Sequence, residues 1–328
     1  MRKLWLPLAV VLISTGVLLV AKPAADSTIF IGMCDASAAA SIDAEHFIIA
    51  DDEDNTLRIF RRSGGEAIAE KELSEFLGNQ TKKKKAKEAD LEAAAKIGSR
   101  IYWISSHGRN KKGKDSPERE RLFATDVAVE DGNITVTPVG QPYDQLLEDL
   151  LAAPQLEKYN LKDASEKAPK DDGALNIEGL SGTPDGRLLI GFRNPIRDGK
   201  TLVVPLLNPA EVVQGERAKL GDPLELDLGG LGIRSLGWHA GKYVIIAGAT
   251  GEGGESQLFT WDGKGEAKRV EGISFPALNP EGIAFNKPDG KSEYFLLSDD
   301  GGVSIDGKDC KKLKDPKLKR FRGQVVEI

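Results

Sequence analysis

The stretch Asn176-Ile-Glu-Gly-Leu-Ser-Gly-Thr-Pro-Asp-Gly-Arg-Leu-Leu-Ile-Gly191 determines the fold, because its pattern recurs along the chain. Two polar residues, Asn176 and Glu178, precede small residues, a turn at Asp185-Gly186 and a dense apolar run that ends in Gly191. Asp-Gly favours a tight reversal between extended segments. The stretch therefore predicts an antiparallel hairpin with small side chains on its first strand and a buried second strand.

The same pattern occurs five times. The residues that occupy the position of Glu178 in the five copies, called register residues below, are Ser37, Glu92, Glu178, Arg234 and Glu281. A small residue ends the apolar run 13 residues later in four copies and 17 residues later in the fifth, where residues 286–292 lengthen the turn. A third extended stretch follows each hairpin, at residues 324–326 in the last copy, and a fourth follows in all copies but the last. The register residues are 55, 86, 56 and 47 residues apart. Apart from the second distance, which includes residues 141–173, these spacings fit four-stranded β-propeller blades of roughly 40 to 50 residues with loops.

The fifth copy lacks a fourth strand, but residues 28–31 form a spare extended piece at the start. In a closed propeller this N-terminal strand completes the last blade and removes exposed sheet edges. Residues 141–173 contain a helix-like stretch and are predicted as a short helical insert. The sequence thus predicts an all-β propeller of five four-stranded blades, as one domain over residues 26–328. Six blades is the alternative, if the insert contains a degenerate blade.

The N-terminal segment, residues 1–25, is typical of a secretory signal peptide. Arg2 and Lys3 precede a nearly unbroken apolar run, residues 4–20, followed by small residues. Cleavage after Ala21 or Ala25 leaves no membrane span; the alternative is retention as an N-terminal anchor. We expect a periplasmic or secreted monomer.

Composition excludes several functions. The 328 residues include 45 Lys and Arg against 51 Asp and Glu, and the net charge of −6 argues against nucleic acid as a partner. Two Cys and three His exclude a disulfide-dense scaffold and a histidine-rich metal cage. Cys34 and Cys310 are predicted on the same face, near the point where the ring closes, and an oxidising compartment favours a disulfide between them.

The long and charged loops all fall on one side of the predicted propeller. In a blade of strands a to d, the d-to-a and b-to-c connections emerge on this side, which we call the loop-rich face. We call the opening of the central channel on this face the mouth. Loops on a rigid scaffold often carry function, so we expect a small polar ligand to bind here. The candidate ligand-binding residues are Glu92, Arg109, Glu178, Arg193, Asn194, Arg234 and Glu281.

Several of the side chains at the mouth are oxygen donors of the kind that calcium prefers. The candidate calcium ligands are Asp51, Asp90, Glu92, Glu281 and Asp299. The alternative is a structural ring of ion pairs, because Arg234 lies between Glu178 and Glu281 in ring order. Glu178 and His107 are the candidate proton carriers for catalysis. No nucleophile elbow, phosphate-binding loop or zinc-protease motif is present.

Five motifs resemble a bacterial family catalogued as domain of unknown function 3616. They are Cys34-Asp-Ala-Ser-Ala-Ala, Ala50-Asp-Asp-Glu-Asp-Asn, Tyr102-Trp-Ile-Ser-Ser-His-Gly-Arg-Asn-Lys-Lys-Gly, Asn176-Ile-Glu-Gly-Leu and Gly191-Phe-Arg-Asn-Pro. The resemblance runs from about Gly32 to the C-terminus and implies the fold, since the family has no established activity. More distantly, Asn176-Ile-Glu-Gly and Asn279-Pro-Glu-Gly resemble esterase-like and phytase-like propellers, which implies a calcium-supported hydrolase by analogy of fold.

The sequence therefore predicts an exported propeller that binds a small polar ligand or an envelope protein at its mouth. The first alternative is a calcium-supported esterase or phosphoesterase. The second is a structural or protein-interaction module of the cell envelope.

Overall fold

The chain folds as a five-bladed β-propeller. The computed structural model describes residues 27–81, 86–169, 171–251, 253–286 and 293–328, so the predicted signal peptide lies outside the described residues. In the first four blades the strands follow one another in chain order from the channel outward. The fifth blade is completed by the N-terminal strand. The predicted fold is confirmed.

The strand bounds follow the blades. Strand β1 (Thr28–Ile31) comes first in the chain and belongs to the fifth blade. The first blade consists of β2 (Ala36–Ser41), β3 (His46–Asp51), β4 (Thr56–Arg61) and, after the short strand β5 (Gly65–Glu66), β6 (Ala69–Glu72). The second consists of β7 (Leu91–Ile97), β8 (Arg100–Ser105), β9 (Leu122–Glu130) and β10 (Asn133–Tyr143). The third consists of β11 (Asn176–Gly182), β12 (Leu188–Arg197), β13 (Lys200–Leu206) and β14 (Leu224–Asp227).

The last two blades complete the ring. The fourth consists of β15 (Gly232–His239), β16 (Lys242–Gly248), β17 (Gln257–Trp261) and β18 (Lys268–Arg269). In the fifth, β19 (Pro280–Asn286) and β20 (Glu293–Ser298) precede the hairpin of β21 (Ser304–Ile305) and β22 (Lys308–Asp309), and then comes β23 (Arg320–Glu327). Strand β1 pairs with β23, and β5 pairs with the outer edge of β1.

Helices are short and lie in the connections. They are α1 (Leu146–Ala152), α2 (Leu161–Ser165), α3 (Pro209–Val212) and the 3-10 helices Pro117–Arg119, Pro154–Tyr159, Cys310–Lys312 and Pro316–Leu318. Helices α1 and α2 form the predicted insert, which adds no sixth blade. Among the described residues, no helix has both the length and the apolarity needed to cross a membrane.

Some strands differ in length from the prediction. Strand β23 begins earlier than the predicted residues 324–326, because it must pair with β20 on one side and β1 on the other. The predicted fourth stretch of the fourth copy is only the two-residue strand β18, and Gly272 at φ 77° turns the chain beyond it. Strand β12 continues past Gly191 to Arg197 through an irregularity in its pairing with β13.

The hydrophobic core is divided among the blade interfaces. Each of the five buried clusters contains side chains from two neighbouring blades, and α1 and α2 pack onto the cluster between the second and third blades. Burial of apolar side chains between twisted sheets drives this packing. The ring therefore stays together through five similar contacts rather than one central core.

The seam between the fifth and first blades is rich in phenylalanine. Phe30 on β1 lies 5.2 Å from Phe47, 5.5 Å from Phe60, 5.9 Å from Phe295 and 4.8 Å from Phe321, measured between ring centroids. All five rings are almost fully shielded from solvent. Aromatic pairs at these distances add to the stabilisation from area burial, so the N-terminal strand links the two ends of the ring through side chains as well as backbone.

A disulfide closes the same seam. Cys34 and Cys310 are bonded, with their Cα atoms 5.9 Å apart and 276 residues between them in sequence. Both cysteines are fully buried and pack against Ile305. The predicted disulfide is confirmed.

We expect loss of this disulfide to lower the free energy of unfolding by up to about 5 kcal/mol, because a long closed loop restricts the unfolded chain. Denaturant titration with and without a reductant measures the change. The double variant Cys34→Ser/Cys310→Ser is the control, since its stability should not respond to the reductant. Equal stability of the oxidised and reduced wild-type protein would contradict the expectation.

Candidate functional site

Each register residue lies at a β-bulge near the mouth end of an inner strand. The pairing of the inner strand with its neighbour is irregular at this residue in all five blades. An extra residue in one strand redirects its side chain out of the regular alternation. The bulge explains how Arg234 contacts both Glu178 and Glu281, although the three residues come from three different blades.

A small residue follows each bulge because neighbouring blades approach closely there. A Cβ atom on Gly179 would lie 2.6 Å from Cγ2 of Ile233, and one on Gly282 would lie 3.2 Å from Cβ of Ala39. Contacts this short require glycine or a shift of the neighbour. The Glu-Gly pairs of the third and fifth copies therefore combine a charged group at the mouth with tight packing behind it.

Glu178, Arg193, Arg234 and Glu281 form one side of the mouth, which we call the compensated half. Nη1 of Arg193 donates to Oε1 of Glu178 at 2.7 Å, and Nη1 of Arg234 donates to Oε1 of Glu281. Nε of Arg234 also lies 3.8 Å from Oε2 of Glu178. Two carboxylates face two guanidinium groups, so the charges of this half balance, as the structural alternative predicts.

The bulge in β12 and the next blade hold Arg193 in place. Nε of Arg193 donates to the Ala249 carbonyl at 3.1 Å, and Nη2 donates to the Gly251 carbonyl at 2.8 Å. Nδ2 of Asn176 donates to the same Glu178 oxygen at 2.7 Å. Glu178 is 3% exposed. The position of this carboxylate is thus fixed by two neighbours that both donate to it.

Asp35, Asp51, Asp52, Asp90 and Glu92 form the opposite side, which we call the acidic half. Carboxylate oxygens of Asp35, Asp51 and Asp52 lie within 4.8 Å of one another. Those of Asp52, Asp90 and Glu92 do so as well. Asp52 belongs to both groups, so the five carboxyl groups are contiguous.

Few cations offset these carboxyl groups. Nη1 of Arg119 lies 2.8 Å from Oδ2 of Asp90, and Nζ of Lys311 lies 4.0 Å from Oδ1 of Asp35. Among the described side chains, none forms an ion pair with Asp52 or Glu92. The acidic half therefore carries more carboxyl groups than compensating cations.

Burial and mutual repulsion shift the titration of this half. Burial raises the pKa of Asp51 to about 6, and Asp54 adds to the shift. Burial, followed by Asp299 and Asp51, raises the pKa of Asp35 to about 9. Burial also raises the pKa of Glu92 well above its ordinary value, with a contribution from Glu178. Protons therefore remain on part of the acidic half at neutral pH.

Three oxygen atoms at the mouth are buried without a hydrogen-bond partner among the described residues. They are Oδ1 of Asp52, Oδ1 of Asn176 and Oε2 of Glu178. Asn176 is 8% exposed. Buried oxygen atoms that accept no hydrogen bond cost free energy, so these three atoms are available to accept from a ligand or to coordinate a cation.

The candidate calcium ligands divide between the two sides. Asp51, Asp90 and Glu92 lie in the acidic half, where Asp35 and Asp52 join them. Glu281 pairs with Arg234, and Nδ2 of Asn279 bridges Glu281 at 3.1 Å and Asp299 at 3.2 Å. The sequence signal for Asp35 and Asp52 was present, since Asp35 precedes an inner strand and Asp52 follows β3 directly within the Asp-rich run 51–54.

The remaining candidates have other contacts. Arg109 donates to the carbonyls of Ser165 at 2.9 Å and Gly113 at 3.2 Å, which joins its loop to the insert. His107 is 2% exposed, its Nδ1 lies 2.8 Å from the Ser105 carbonyl, and burial lowers its pKa to about 4. Asn194 is buried on β12 and pairs in register with Asn176.

The fold and the mouth define a five-bladed propeller with a charged, bulge-built ring at one end of its channel. The chain belongs to the family described as Protein of unknown function (DUF3616), whose sequence profile matches residues 130–293. This match accords with the family resemblance of the motifs. No curated protein matches the sequence.

Solved structures of similar shape are β-propeller enzymes. Glutaminyl cyclase of Myxococcus xanthus is 13% identical over 92% of this chain and 95% of its own, with a TM-score of 0.44. Aldose sugar dehydrogenase of Streptomyces coelicolor, in its PQQ-bound form, is 11% identical over 93% of this chain and 100% of its own, with a TM-score of 0.41. A gluconolactonase of Xanthomonas campestris is 15% identical over 92% and 80%, with a TM-score of 0.40.

Two substitutions of the same kind in the ring should have opposite effects. Glu178→Gln leaves the buried Arg193 without its carboxylate and should lower the free energy of unfolding by roughly 3 to 5 kcal/mol. Glu92→Gln removes one of several repelling carboxyl groups and should leave stability unchanged or raise it. Thermal unfolding in the presence of a chelator compares the two variants. A large loss of stability in Glu92→Gln would show that this side of the ring is also compensated.

Stability should fall with rising pH in the absence of metal. Because the folded pKa of Asp35 is about 9, the folded state keeps a proton that the unfolded chain releases, and stability is lost as pH rises toward 9. Between pH 7 and 8.5 the loss should be on the order of 2 kcal/mol. Urea unfolding at both pH values with a chelator measures it. The variant Asp35→Asn should flatten the profile, and an equally steep profile in that variant would contradict the assignment.

Proposed function

We propose that the protein is an exported binding protein that holds calcium and a small polar ligand at the mouth of the propeller. The observation that carries the proposal is the acidic half, where five contiguous carboxyl groups form ion pairs with only two of the described cations, Arg119 and Lys311. A divalent cation would offset this excess and provide a partner for the buried oxygen atoms of Asp52, Asn176 and Glu178. The site would then be complete only with its cation bound.

Calcium is the cation that suits these donors. Every candidate ligand is a carboxylate or amide oxygen, and calcium takes six to eight oxygen ligands in variable geometry. Zinc and copper favour nitrogen or sulfur ligands, and the mouth has neither cysteine thiolates nor an accessible histidine among its described residues. A small polar ligand with oxygen atoms of its own would complete the coordination.

The compensated half supports a binding role rather than proton transfer. Oε1 of Glu178 already accepts hydrogen bonds from Arg193 and Asn176. This oxygen atom is therefore engaged within the ring and is not free to take a proton from a substrate. The buried ring of His107 has its Nδ1 bonded to backbone, so neither candidate favours hydrolysis.

A compartment outside the cytoplasm fits this binding role. The predicted signal peptide and the disulfide at the seam both favour an oxidising, calcium-containing environment outside the cytoplasm. Calcium is present there at concentrations that a site of moderate affinity can bind.

Titration calorimetry with calcium tests the proposal. We expect one binding event in the metal-free wild-type protein and affinity weakened by about tenfold or more in Asp52→Asn, because Asp52 joins both groups of carboxylates. Asp126→Asn is the matched control, since Asp126 on β9 forms an ion pair with Arg100 on β8, away from the mouth. Absence of calcium binding by the wild-type protein would favour a structural or protein-interaction role for the ring.

A further inference from the structure

The central channel contains a second candidate site below the ring of charged residues. A cavity of about 320 Å³ lies between the five inner strands, and we call it the lower cavity. Of the register residues, Ser37 alone lines it. The lining extends to Gly98 and Trp238, next to the a-to-b turns, so the cavity lies toward the face opposite the loop-rich face.

The wall of the lower cavity combines apolar side chains with polar groups in nearly equal measure. Small side chains line the cavity on β2 and β7, and larger side chains line it on the other inner strands. Lining residues include Ala40, Leu180, Leu236, Ile283, Trp238 and Phe285. Ser41, Ser181 and Ser235 add hydroxyl groups. Such a wall suits the apolar body of a small organic molecule, with limited hydrogen bonding to its edges.

Lys96 is the one charged side chain among the described lining residues. Its Nζ donates to the Ile42 carbonyl at 2.7 Å and forms no ion pair within the described ranges. Arg62 stands beside the same end of β2, where its Nη2 donates to Oγ of Ser41 at 3.0 Å and to the Phe285 carbonyl at 2.8 Å. This end of the cavity therefore has two cations, neither of which forms an ion pair with a described carboxylate, while Asp43 interacts with both over a longer distance.

We propose that the lower cavity binds a small organic monocarboxylate, with its apolar body among the inner strands and its carboxylate at Lys96. An ammonium group that forms no ion pair with a described carboxylate, at the edge of the cavity, favours an anionic head group, and a charge-assisted hydrogen bond to it is stronger than a neutral one. The volume lies at the low end for ligand pockets, which restricts the occupant to short or compact acids.

This site is independent of the mouth. The charged register residues lie at the mouth end of the inner strands, and Lys96 lies toward their other end. The two sites also have opposite sign, because carboxyl groups predominate at the mouth and a lysine marks the lower cavity. Calcium at the mouth is not needed to fill the lower cavity. Experiments in a chelator therefore test this inference without depending on the proposed calcium site.

Titration calorimetry with three compounds that share a chain tests the charge and the shape of the site. We expect octanoate to bind and octylamine to bind at least about tenfold more weakly, because only the head group differs. Octanol should fall between them. Equal affinity for octanoate and octylamine would overturn the proposal.

Two variants test the position of the site. Lys96→Gln should weaken octanoate about tenfold while leaving octanol unchanged, and Ser235→Leu should weaken both by filling the cavity. Lys242→Gln is the matched control, because Lys242 begins β16 on the same face and does not line the cavity. Lys96 is exposed, so its variant should fold normally, which circular dichroism verifies. Unchanged octanoate affinity in both Lys96→Gln and Ser235→Leu would also overturn the proposal.

Discussion

Five inner strands that meet around one axis leave little space for side chains, and this crowding governs both ends of the channel. Regular alternation places inner-strand side chains against the neighbouring blades, where alanine and glycine fit. The bulge is the exception in every blade, because the extra residue turns one side chain out of that packing. The charged ring and the narrow cavity beneath it are two results of the same crowding.

Chemically similar positions in the ring differ because their surroundings differ. Glu92 and Glu178 occupy equivalent bulges, yet only Glu178 has a guanidinium group within hydrogen-bond distance. The difference arises from β12, whose irregular pairing brings Arg193 to the mouth. The first blade has Ser37 at this position. Its carboxyl groups come instead from Asp51 at the end of β3 and from Asp52, the next residue. Five copies of one supersecondary unit thus produce a site without five-fold symmetry.

Much of the fold was predictable from the sequence, because spacing and turn chemistry are local properties. The equal 13-residue spacings indicated the hairpins, and residues 28–31 indicated how the ring closes. The bulges were not predictable, since a bulge is defined only against a partner strand. The balance of charge at Glu178 and Glu92 could not be predicted either, because it depends on the irregular pairing of β12 and on contacts between blades. The lower cavity, formed by backbone and small side chains from all five blades, has no local sequence signal.

The pairing of β1 with β23 sets an order on folding. A ribosome makes β1 first and β23 last among the described strands, so β1 has no partner in its own blade until almost the whole chain has been synthesised. The first four blades have all their strands before that point. A nascent chain that stops short of Cys310 would keep two open sheet edges and an unpaired Cys34, features that chaperones and proteases recognise. Closure of the propeller thus depends on synthesis of nearly the whole chain, because β1 can pair in its own blade only with β23.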